Sequence, residues 1–102
     1  MNNSQPFTLT VAGDQLCVTG SLDFTAATRM TSQLQHCIAG LPASFTVELA
    51  GLTDFNSAVL VFMLDCVRLA AAANKHCRFT GVSSELGNLL QIASLADLVR
   101  AA

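Results

Sequence analysis

A chain of 102 residues with 52% hydrophobic and 12% charged side chains carries enough apolar material for one core and falls well short of the length at which cores divide. Its charged fraction is half the roughly 25% of an average soluble domain, which excludes a disordered charged tail. With a net charge of −2 and five scattered basic residues, Arg29, Arg68, Lys75, Arg78 and Arg100, it has no basic patch for a phosphate backbone, so no nucleic-acid partner is expected.

Residues 7–11 alternate apolar and polar, Gly13-Asp14 supplies turn chemistry, and residues 15–22 alternate again; the pattern predicts a β-hairpin. From Thr25 the period changes: Ala26, Ala27, Met30, Leu34, Cys37, Ile38 and Leu41 recur at steps of three and four, predicting one amphipathic helix that Gly40 and Pro42 end. Residues 45–50 read as a strand, Gly51 to Asn56 as a loop, and Ser57 to Ala73 as a second helix broken by Asn74-Lys75-His76. Residues 77–80 read as a further strand and Gly81-Val82-Ser83 as a turn. Leu86, Leu89, Leu90 and Ala93 form one face of a third helix, and a short helical segment from Leu95 to Val99 closes the chain. The order β-β-α-β-α-β-α demands right-handed crossovers. The expected fold is a single α/β domain spanning 1–102, a sandwich with an about four-stranded, mostly parallel sheet and helices packed on it.

A mean hydropathy of +0.52 raises the question of a membrane, yet the most apolar run, Ala58 to Ala73, is shorter than the about 20 residues of a span and contains Asp65 and Arg68. No direct membrane insertion is expected. The first six residues lack the basic and apolar regions of a secretory signal, so the chain reads as cytoplasmic. Cys17, Cys37, Cys66 and Cys77 lie far apart inside apolar stretches without a CxxC pair, the pattern of buried thiols rather than of disulfides or a metal site.

The chain contains no GxxxxGK[ST], GxGxxG, GxSxG or HExxH, so the common phosphate-binding and hydrolytic motifs are missing. His36 and His76 have no ligand spacing around them and read as surface or capping residues. Asp23 and Asp54 both follow strands, where loops at one end of a parallel sheet converge, and they are the one pair a hydrolytic dyad could use.

The helix from Ser57 stands apart. Ser57, Asp65 and Arg68 fall in one sector, while Val59, Met63, Cys66 and Ala70 lie opposite as core. Val61, Leu64, Ala71 and Ala72 lie beside or inside the polar sector, where they face either a partner or a second covering element. Asn56 is a good N-cap, and Ser57 behind it is either a phosphorylation switch, its anion stabilised by the helix dipole, or part of the cap.

Three segments in order, Gly20-Ser21-Leu22-Asp23, Val47-Glu48-Leu49 through Leu52-Thr53-Asp54-Phe55-Asn56-Ser57-Ala58-Val59-Leu60, and Phe79-Thr80-Gly81-Val82, resemble the STAS domain from Phe7 to about Val99. STAS domains serve as anti-sigma factor antagonists, as regulatory tails of anion transporters, and as small cytoplasmic subunits of the bacterial Mla phospholipid-transport ABC complex. The antagonists' Asp-Ser-x-Gly matches Asn56, Ser57, Ala58 and Val59: the serine is kept, the acid's charge is absent, and a β-branched side chain stands where glycine would let another backbone approach. The Mla-type subunits look closer, since they relax this motif around a Ser or Thr, carry an apolar second helix, and enter the third helix through a similar Gly-Val.

That resemblance implies a non-catalytic regulatory or assembly subunit, without a cofactor and with no requirement for a homo-oligomer. It would bind the transporter's ATPase subunit, itself joined to a permease, and serve outer-membrane lipid asymmetry. It would be cytoplasmic and peripheral to the inner membrane through its partner. The partner-binding residues it implies are Phe55, Asn56 and Ser57 at the helix entry and Val61, Leu64, Asp65 and Arg68 along the outward face, with Asp23 flanking them. The alternative is an anti-sigma factor antagonist switched by phosphorylation of Ser57.

Overall fold

The computed structural model describes residues 7–53 and 56–92. Its elements are β1 (Thr8–Ala12), β2 (Gln15–Gly20), α1 (Phe24–Arg29), α2 (Thr31–Ala39), β3 (Ser44–Leu52), α3 (Ser57–Ala72), β4 (His76–Thr80) and α4 (Ser84–Ile92). One four-stranded sheet has the order β1-β2-β3-β4. The β1–β2 hairpin is antiparallel, with Val11 opposite Leu16, and β2–β3 and β3–β4 are parallel, setting Leu16 beside Val47 and Val47 beside Phe79. The mostly parallel four-stranded α/β arrangement expected from the sequence is the one observed.

The period of two divides the sheet into unlike faces. Leu16, Val18, Phe45, Val47, Leu49, Cys77 and Phe79 are buried, whereas the row Thr10, Cys17, Glu48, Thr80 belongs to the other face, on which none of the four is fully buried. A right-handed crossover between neighbouring parallel strands has a fixed side, so α1–α2 and α3 lie over the same face, and they pack on one another. Phe7, just before β1, meets Phe62 of α3 edge to face with ring centres 5.5 Å apart, tying the hairpin to that layer. Every buried side chain among the described residues is apolar. No helix among them is long and apolar enough to cross a membrane.

One turn is held by a charge. The Lys75 ammonium donates to the carbonyls of Ile38 (2.7 Å), Ala39 (3.0 Å) and Leu41 (2.6 Å). Its positive charge sits where unpaired carbonyls and the helix dipole make the end of α2 negative, and it fixes the lead into β4 against that end.

The structure departs from the sequence pattern in several places. The single helix expected from Thr25 to Leu41 is divided at Met30. There the Thr31 hydroxyl donates to the Ala27 carbonyl at 3.3 Å, the acceptor that a continuous helix would offer to Thr31 N–H. The expected loop at Gly51 is instead the end of β3, because an irregularity between Cys17 and Thr19 carries the pairing on to Gly20 and Leu52. His76 opens β4 opposite Ser44 instead of lying in a linker. All four cysteines are free, but only Cys66 and Cys77 are buried; Cys17 and Cys37 are half-buried. The segment Leu95–Val99 lies outside the described residues.

Burial pushes the Cys66 thiol well above its ordinary value, and raises those of Cys77 and Cys37 as well. A thiol whose folded pKa exceeds its unfolded one holds its proton longer in the native state, so its contribution to stability is complete below the unfolded value and is lost as pH rises through the folded one. Unfolding free energy is therefore expected to fall above about pH 8.5, with a limiting slope of about 1.4 kcal/mol per pH unit from the fully buried Cys66 thiol and less from the less deeply buried Cys77 and Cys37 thiols. Urea titrations from neutral to alkaline pH check this, and Cys66→Ala should flatten the slope whatever its effect on stability at neutral pH.

Candidate functional site

The C-terminal ends of β2, β3 and β4 lead into the starts of α1, α3 and α4 at one edge of the sheet. Two features pin this edge. Thr53 N–H donates to the Gly20 carbonyl at 2.9 Å, joining the exits of β3 and β2. Gly81 has φ +73°, and a Cβ there would lie 2.5 Å from Ala50 N and against the Glu48 carboxylate, so no other residue fits without displacing β3. That carboxylate is committed on both oxygens, accepting from Ala50 N–H (2.8 Å) and the Thr80 hydroxyl (2.9 Å).

Asn56 sets the start of α3. Its backbone is extended (φ −143°, ψ −177°), and its Oδ1 accepts from Ala58 N–H at 2.8 Å, the N-cap geometry. Its Nδ2 donates to the Leu22 carbonyl at 3.1 Å, across to the turn that contains Asp23. The amide accepts on one atom and donates from the other, which a carboxylate cannot do. A carboxylate would keep the cap but face the Leu22 carbonyl with a second acceptor, a physical reason for Asn where the antagonists' motif has Asp.

Ser57, the first residue of α3, is exposed. Val59 is fully buried in the core, as is Ala58 beside it. The β-branched side chain at 59 therefore fills the interior, as its helical spacing with Met63, Cys66 and Ala70 predicts, and does not stand where its place in the motif suggested, in the way of an approaching partner.

From Ser57 the outward face of α3 runs through Val61 (38% exposed), Leu64 (43%) and Val67 (36%) to Ala71 and Ala72. Asp65 and Arg68 lie on the same face, their charged groups 3.3 Å apart and their side chains 24% and 62% exposed. An exposed i,i+3 pair of this kind adds little to stability. The structure thus brings Asn56, Ser57, Val61, Leu64, Asp65 and Arg68 onto one end and one face of a single helix and sets Asp23, itself exposed, beside its start through the Leu22 bond. Phe55, and Asp54 of the suggested Asp23–Asp54 pair, lie outside the described residues.

Sequence reasoning missed Val67, although its steps from Leu64 and to Ala71 are those of the same stripe. It also missed a cavity of about 350 Å³ at the same edge, walled by Phe7, Ser21, Asp23, Thr25, Arg29 and Met30. Among the described residues no three His, Cys, Asp or Glu side chains gather in a way that could hold a metal ion.

A sheet in sequential strand order, two right-handed crossovers on one face and a serine exposed at the start of the second crossover helix agree with what a search against family models returns. The family described as "Mlab, STAS domain" matches residues 7–100, and the chain belongs to it. Among solved structures that resemble it is that of the anti-sigma factor antagonist SpoIIAA in its unphosphorylated form, with a TM-score of 0.68 and 18% identity over 91% of this chain and 84% of that one. At that identity the likeness shows the fold. No curated protein matches the sequence.

Asn56→Ala removes both the cap and the Leu22 bond and should cost about 2 kcal/mol. Asn56→Asp keeps the cap and gains charge at a helix N-terminus, worth about 0.5 kcal/mol, but loses the donor and opposes two acceptors, for a net cost of about 1 kcal/mol. Urea unfolding of the two variants checks both the order and the sizes.

Proposed function

We propose that this chain is the non-catalytic STAS subunit of an ABC-type phospholipid transporter that maintains lipid asymmetry, and that it docks on the transporter's cytoplasmic ATPase subunit through α3. The observation that carries the reading is the exposure of Val61, Leu64 and Val67 in one stripe of a helix whose opposite face is core. Large apolar side chains aligned along one helix face are what a partner's groove or helix covers. The Asn56 bonds give the stripe a fixed starting point, so little ordering is needed on binding. The description of the matching family as Mlab supports the same reading. By it the protein sits at the inner membrane through its partner, while ATP hydrolysis and lipid movement belong to other subunits.

A second reading is favoured by Ser57, whose exposure at the first turn of α3 suits a phosphorylated side chain. The similar fold of SpoIIAA, described as an anti-sigma factor antagonist in its unphosphorylated form, goes with it. In that case Ser57 is the switch and an anti-sigma factor the partner.

Calorimetric titration of the chain with the transporter ATPase subunit of its host separates the two. Leu64→Arg should weaken binding about 30-fold or more, the equivalent of at least about 2 kcal/mol for a charge forced into an apolar contact. Its circular dichroism should remain that of the wild type. Ser57→Glu should also weaken binding without unfolding, since a carboxylate is tolerated at a helix N-terminus. Unchanged ATPase affinity in Leu64→Arg would remove the docking assignment. Phosphate transfer to Ser57 by a host serine kinase, with release of a bound anti-sigma factor, would establish the second reading in its place.

A further inference from the structure

We draw no further inference here: the strongest candidate, the cavity of about 350 Å³ at the sheet edge where α1 begins, has its charged wall residues Asp23 and Arg29 open to solvent and no buried polar side chain among the described residues to recognise a ligand, so nothing in the structure shows what would fill it.

Discussion

The four strands lie side by side in chain order, and from that arrangement the rest of the molecule follows. Each parallel neighbour requires a right-handed crossover, and successive crossovers in one direction fall on one face. α1, α2 and α3 therefore share a layer and a core, the opposite sheet face carries the Thr10–Cys17–Glu48–Thr80 row, and α3 has one side against that core and one side open. Leu69, Cys66, Met63 and Phe62 serve the interior, while Val61, Leu64 and Val67 are exposed by the same geometry. An apolar stripe in that position adds nothing to the monomer's own core, which is why its presence bears on binding.

The edge where α3 begins is held by a few polar bonds, each with a definite job. Asn56 joins the helix start to the Leu22 carbonyl, Thr53 joins β3 to the exit of β2, and Glu48 gathers Ala50 and Thr80 beneath a Gly81 that has no room for a side chain. At the other end Lys75 closes the carbonyls of α2. These contacts stabilise the domain modestly, by about 1 kcal/mol each; their larger effect is to leave α3 with one position relative to the sheet. A surface so fixed loses little freedom on docking, and affinity depends on that saving as much as on area.

Much of this was legible in local pattern. The alternation of Phe45, Val47 and Leu49 marked β3, and the three- and four-residue steps from Val59 to Ala70 marked the buried side of α3, which left Val61 and Leu64 beside Asp65 and Arg68 to face either a partner or a second covering element. The break at Met30 was not legible, because Ala27, Met30 and Leu34 keep helical spacing straight through it, and the Thr31 hydroxyl that competes for a carbonyl leaves no periodic trace. Gly51 looked like the start of a loop; its place in β3 depends on an irregularity in β2 more than thirty residues earlier. The second hydrogen bond of Asn56 was equally hidden, since its partner is a backbone carbonyl 34 residues away. At Val59 two readings of the sequence disagreed: helical spacing placed it in the core and its place in the motif suggested a change at the surface, and the core placement is the one observed.

On the function proposed above, the outward face of α3 is the surface a partner covers. Methyl-labelled nuclear magnetic resonance, with the transporter ATPase subunit titrated into the full chain, tests it most directly. The methyl signals of Val61, Leu64 and Val67 are expected to shift or broaden together, while those of Val18 and Val47 in the sheet core stay in place. Binding that leaves the three α3 signals unmoved and perturbs other residues would contradict it.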